Sequence, residues 1–153
     1  MTTEPRKTAL YDVHKAAGGR IVEFAGWLMP VWFAGINQEH ETVRTQVGLF
    51  DVSHMGQIQF SGPDAAAAVD YLVTGGVSSL APGRALYTPT LKEDGTIVDD
   101  LIVYKRSDSD VMLCVNASTA AKDFAHFQKH NPGETTITNI SDQYSQIAVQ
   151  GPQ

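Results

Sequence analysis

The sequence predicts an α+β fold, an antiparallel or mixed sheet with packed helices, from two observations. "RALYTPTL" and "TIVDDLIVYKR" flank the turn signal "KEDG", and "VMLCVN" follows the polar break "SDSD", so three strands are joined by short connections. Helix-like segments, "GPDAAAAVDYLV" before this group and "STAAKDFAHFQKHN" after it, occur singly and do not alternate with every strand. With 153 residues, 42% of them hydrophobic, the chain suits one globular domain with a real core.

Each element has a local cause. A short helix is predicted near residues 8–17, with Thr8 as a cap and Gly18-Gly19 as its stop. A strand "RIVEF" follows. Residues 25–38, "AGWLMPVWFAGINQ", hold both tryptophans without helical or strand period and predict an ordered loop with large apolar anchors. Residues 37–47 predict a helix capped by Asn37 and stopped by Gly48. After "LFDVSHMG", the strand "QIQFS" runs into "GPDAAAAVDYLV", where Pro63 suits a first helical turn and the alanines favour helix. Pro89 has no amide donor and belongs at an edge or bulge of its strand. The last helix begins near Ser118 and stops at Pro132-Gly133. A final strand "YSQIAVQ" reaches "GPQ", a junction like the earlier "FSGPD", so a helix is expected to follow.

Charge and motifs narrow the function. A formal charge of −6 with no basic run argues against a nucleic-acid surface. No apolar run approaches a membrane span, the start "MTTEPRKTAL" lacks a signal-peptide segment, and the single Cys114 sits in a strand as a core residue; these point to the cytoplasm. Dinucleotide, phosphate-loop and nucleophile-elbow motifs are missing. His126 and His130 have a metal-compatible i,i+4 spacing, but histidines also suit the last turn of an exposed helix. His54 lacks a neighbouring His or Cys, which favours a structural hydrogen-bonding role.

The stretch "IVDDLIVY" carries the most information. On a strand, Val98, Asp100, Ile102 and Tyr104 share one face, and Ile97, Asp99, Leu101 and Val103 the other. Each row is apolar except for one aspartate, so the strand is expected to be covered on both faces, and at least one carboxylate needs a partner or a task. Tyr87 on the adjacent hairpin arm, Asn116 at the end of the third strand and Met55 after "FDVSH" complete a set able to seat a flat heteroaromatic ligand. A core whose buried polar groups are satisfied internally is the alternative.

"FAGWLMPV", "GLFDVSHMG", "DDLIVY", "VNAS" and "AVQGP", in this order, resemble the amino-terminal part of the glycine cleavage T proteins, the folate-binding aminomethyltransferase family, from about Thr8 to the last residue. The resemblance implies the first part of a three-domain fold, with residues 1–153 an incomplete folate-binding region and later domains absent. It implies an enzyme, a transferase that moves the methylene carbon from the aminomethyl-lipoyl H protein to tetrahydrofolate and releases ammonia, without a metal. Asp100 takes the position of the family's critical carboxylate, and Met55, Tyr87, Ile102, Tyr104 and Asn116 fall where the family lines its folate site. Asp99 is then left to face the protein. One departure is Gly95-Thr96 where the family has Gly-Gly, and a small change of turn geometry is expected. Partners implied are tetrahydrofolate and the lipoylated H protein, with self-association of the fragment, which is expected to be inactive alone. The alternative is a non-catalytic folate-binding or assembly module on the same scaffold.

Overall fold

In the computed structural model, which describes residues 4–153, the chain divides into two units: residues up to His54 together with Ser145–Gln153, and Met55–Tyr144. The first three residues of "MTTEPRKTAL" lie outside the described residues. Strands and helices mix as the α+β reading predicts.

The first unit opens with β1 (Arg6–Lys7), α1 (Tyr11–Ala16), β2 (Ile21–Phe24), β3 (Trp27–Pro30), α2 (Ile36–Thr45) and β4 (Gly48–Asp51). Thr8 does not cap α1 through its side chain; its hydroxyl donates to Asp51 Oδ2 at 2.8 Å instead. Part of the expected loop is strand. Ala25 and Gly26, at φ 50° and 79°, make a two-residue turn that pairs β2 with β3 antiparallel, a turn that the pair Ala-Gly signals weakly. Asn37 lies inside α2, and the capping is done by Glu39. Its Oε1 accepts the amides of Phe33 and Ala34, both at 2.6 Å, and of Gly35 at 3.1 Å. Burial opposes the charge, but these donors hold the Glu39 carboxyl below its usual pKa.

The second unit carries β5 (Gly56–Ser61), α3 (Ala65–Leu72), β6 (Arg84–Leu91), β7 (Ile97–Ser107), β8 (Asp110–Val115), α4 (Ala120–His130) and β9 (Thr136–Asn139). The five strands form one antiparallel sheet in the order β6-β7-β8-β5-β9. The hairpin at "KEDG" is present, with Gly95 at φ 82° and Thr96 tied by its amide to Asp94 Oδ1 at 2.9 Å. Pro89 sits on edge strand β6, as its missing donor requires. The chain then returns to the first unit through β10 (Ile147–Gln150), antiparallel to β4 with Ile147 opposite Asp51. Neither β4 nor β9 is legible as a strand in the sequence.

One face of the five-stranded sheet is packed. Ile58, Phe60, Leu101, Val103, Val111, Leu113 and Val115 point to it and bury against Ala65, Ala68, Val69 and Leu72 of α3 and Phe127 of α4. Phe60 and Phe127 meet edge to face, 5.8 Å between centroids. Each such side chain contributes about 1.5–3 kcal/mol by leaving water. Thr90, on edge strand β6, donates to the Leu72 carbonyl at 2.6 Å and so ties the edge to the end of α3.

Candidate functional site

Strand parity decides which carboxylate meets which environment. Leu101 and Val103 of β7 are buried with Asp99 on their side, whereas Asp100, Ile102 and Tyr104 lie on the opposite face and are half-buried. That face is less covered than a strand apolar on both sides leads one to expect. Cross-strand register aligns Tyr87 with Ile102 and Cys114, and Ala85 with Tyr104 and Met112, so the part of the open face made by β6, β7 and β8 next to Asp100 is mainly apolar.

Asp100 is held from two sides. Tyr87 donates its hydroxyl to Asp100 Oδ2, and this raises the tyrosine's own pKa. Asn116 Nδ2 lies 3.1 Å from Asp100 Oδ1 and 3.1 Å from the Asp100 carbonyl. The Thr74 amide donates to the Pro89 carbonyl at 3.1 Å, so Pro89 turns its backbone polar groups outward from β7, and the Asp100 carbonyl opposite it points toward β8 and the asparagine. Asn116 follows Val115, which pairs with both Leu101 and Gly56, so Asn116 and Met55 stand at the same end of the sheet. Register and parity therefore place Tyr87, Asp100, Ile102 and Tyr104 along one face of the second unit's sheet, with Asn116 and Met55 at its Asp100 end and Tyr87 mostly exposed. Tyr104 has its pKa raised, first by burial and then by Cys114.

Asp99 turns inward to a network that sequence reasoning only half anticipated. It accepts from Thr119 Oγ1, from Asn116 Nδ2 at 2.9 Å and from the Asp100 amide at 2.9 Å. Burial pushes its carboxyl up, yet the bonds to Thr119, Asp123 and Asn116 bring it down to about 2. Thr119 and Asp123 were missed in the sequence. Their signal is that Asp123 precedes Phe127 by four residues and so falls on the buried stripe of α4.

Residues 10–153 match the family model of the GCVT N-terminal domain. The chain belongs to that family. Among members it resembles, the aminomethyltransferase of Bacillus velezensis is 49% identical over 147 residues, 96% of this chain and 40% of that protein. The aminomethyltransferase of Bdellovibrio bacteriovorus is 51% identical over 148 residues, again 96% of this chain and 41% of the relative. The crystal structure of glycine cleavage system aminomethyltransferase T from Bartonella henselae superposes with a TM-score of 0.89 at 35% identity, covering 97% of this chain and 41% of that one. The chain thus spans about 40% of the length of the relatives it matches.

The remaining candidates of this GCVT-family chain behave differently. His126 and His130 lie with ring centroids 4.3 Å apart and planes tilted by 40°, beside Lys122 and Lys129 in a cleft of about 1070 Å³, and His130 Nδ1 lies 2.8 Å from the His126 carbonyl oxygen. Burial, His130 and the nearby lysines lower the His126 pKa. Among the described residues, no group of three or more His, Cys, Asp or Glu is placed to hold a metal. His54, expected to make structural hydrogen bonds, packs edge-on against Phe24 and has a buried Nδ1 with no hydrogen-bond partner. Burial lowers its pKa. Among the described residues, no helix is long and apolar enough to cross a membrane.

Proposed function

We propose that the chain is the folate-facing first part of a tetrahydrofolate-dependent aminomethyltransferase of the glycine cleavage system. On this reading the cytoplasmic enzyme takes the methylene carbon of an aminomethyl group from the lipoyl arm of the H protein and releases ammonia, and domains beyond this segment complete the pocket. The carrying observation is Asp100, a carboxylate fixed by Tyr87 and Asn116 at the end of an apolar sheet face. This donor and acceptor set fits a flat heteroaromatic ring with N–H groups. Tetrahydrofolate supplies the amine nitrogens that take up the one-carbon unit.

The chain's own contribution is positional and electrostatic. Asp100 accepts from N–H groups of the ligand and stabilises positive charge that develops there. Tyr87 and Asn116 keep the carboxylate from turning away, while Met55, Ile102 and Tyr104 offer an apolar seat that excludes water. No residue needs to form a covalent bond. The test is Asp100→Asn in a protein that carries this segment with the remaining length of its relatives. Methylenetetrahydrofolate formation from aminomethylated H protein should fall by about 100-fold or more, at an unchanged melting temperature. Full activity of the variant would sink the assignment. The 153-residue chain alone should bind tetrahydrofolate weakly, show no turnover and self-associate in light scattering.

A further inference from the structure

Asp123 plays no part in the reading above, yet it is fully buried at 0% exposure. Neither of its carboxyl oxygens receives a hydrogen bond. Lys122 Nζ stands 3.4 Å from Oδ1 but directs its hydrogen bond, 2.6 Å long, to the Val98 carbonyl. An ionised carboxylate in this place would be a buried charge offset only by Lys122, half exposed and hydrogen-bonded elsewhere. A protonated one has an O–H to give. Lys122 Nζ lies between Asp123 Oδ1 and the Val98 carbonyl, and Thr119, whose carbonyl takes the Asp123 amide, gives its hydroxyl to Asp99, so Asp123 stands at the start of β7 with the Asp99 carboxylate as the nearby acceptor. Asp99 is acceptor-only when ionised, and it already takes hydrogen bonds from Thr119, Asn116 and the Asp100 amide. Asn116 Nδ2 has two hydrogens, one for Asp99 and one for Asp100. Along the row, Asn116 gives to Asp99 and to Asp100, and Tyr87 gives to Asp100; a protonated Asp123 would add a donor to Asp99.

We propose that Asp123 is a positioning residue for Asp100: as a neutral acid it donates to Asp99, and so anchors the Asn116 amide that holds the carboxylate on the open face. Its functional meaning rests on the folate-site reading; the hydrogen-bond chain does not. The charge environment agrees with the geometry. Burial pushes the Asp123 carboxyl up to about 6, aided by its bond to Asp99 and by that group's charge, while Lys122 and Thr119 act in the opposite sense. The two carboxyls share one proton over a wide pH range and titrate as a pair. When Asp123 ionises, Asp99 loses a donor and gains a like charge, and Asn116 is loosened from Asp100.

The experiment is NMR on the chain labelled at aspartate and asparagine, following the Asp123 carboxyl and the Asn116 side-chain amide through the titration. In the unsubstituted chain both resonances should move with one midpoint near 6, and exchange of the Asn116 amide hydrogens should quicken roughly tenfold above it. Asp123→Asn keeps an N–H donor but cannot ionise, so it should abolish the pH response and retain slow exchange. Asp123→Leu should give fast exchange at every pH. An Asn116 amide indifferent to the Asp123 titration, or unchanged in Asp123→Leu, would overturn the proposal. If the leucine variant fails to fold, the titration and the asparagine variant decide alone. Calorimetry with tetrahydrofolate, on the protein of its relatives' length, separates the two readings. Unaltered binding by Asp100→Asn removes the folate site and leaves the Asp123 chain standing, whereas weakened binding with a silent Asn116 amide removes the Asp123 chain alone.

Discussion

The two faces of the five-stranded sheet are made by alternate residues of the same strands, yet they are built on opposite terms. The helix-covered face excludes water completely at Phe60, Val103, Leu113 and Phe127. Its polar intruders, Asp99, Lys105 and Thr90, are each bonded to something fixed. The open face leaves Ile102 and Tyr104 half-covered and Tyr87 largely bare, and its Asp100 carboxylate is oriented by Tyr87 and Asn116. A side chain facing α3 and α4 is therefore judged by the stability it contributes, whereas one on the open face is judged by what it can bind. The difference is breakable in either direction.

The largest effect is expected at Phe127. Phe127→Ala opens a cavity against Phe60 and should cost about 3–5 kcal/mol in denaturant unfolding, whereas Ile102→Ala on the open face should cost about 1 kcal/mol. Equal costs would mean that both faces are core. Next in size is a contrast between sequence neighbours. Lys105 is buried, and its Nζ donates to the carbonyls of Val77 at 3.2 Å and Ser78 at 2.9 Å and pairs with Asp108 at 2.8 Å. Lys105→Ala strands those carbonyls and should destabilise by about 2–3 kcal/mol. Tyr104→Ala should leave the melt nearly unchanged and weaken tetrahydrofolate binding instead, measured by calorimetry. Lys105 is thus no neutral control for its neighbour, a point invisible in a sequence where a lysine reads as solvated.

The adjacent aspartates sharpen the comparison further. Asp99→Asn replaces an acceptor of three donors by a group that repels some of them, and should cost about 2 kcal/mol in thermal melts. Asp100→Asn should stay within about 0.5 kcal/mol of the parent. A larger loss for Asp100 than for Asp99 would reverse the assignment of faces.

What was legible in the sequence follows the range of the forces involved. Alternation along "IVDDLIVY" separates Asp99 from Asp100 because parity is a property of every strand, and "KEDG" closes the hairpin because Gly95 adopts a left-handed φ there. The strand β3 was hidden by its turn, where Ala25 takes the unusual φ and no Asn or Asp announces it. β4 and β10 are four residues each and lie about a hundred positions apart, so nothing local marks either as a partner. Asp123 was hidden for a related reason. Its place on the buried stripe of α4 is readable, but the group that makes its burial tolerable is Asp99, on another element.

The smallest effect concerns the pH dependence of that pair. Asp123 has its pKa raised from 3.8 to about 6 in the folded chain, so between those values the folded state holds a proton that the unfolded state has released. Stability contributed by this group therefore falls as pH rises from about 4 to about 6, and the loss is complete above the folded pKa. Asp99 behaves oppositely: lowered from 3.8 to about 2, it contributes stability above the unfolded value that is lost as pH falls through the folded one. Together they give a local optimum between the two windows. The asparagine variant Asp123→Asn removes only the upper limb. Relative to the parent, it should gain about 1–2 kcal/mol between acidic and mildly alkaline pH, less than the ~3 kcal/mol ceiling for a shift of this size because the amide is a weaker donor to Asp99 than the acid it replaces. Urea unfolding of both chains on either side of pH 6 measures the difference. A parent and variant that stay parallel across the upper window would show that Asp123 carries no proton in the folded chain. The helix-covered face would then contain a buried anion that its packing should not tolerate.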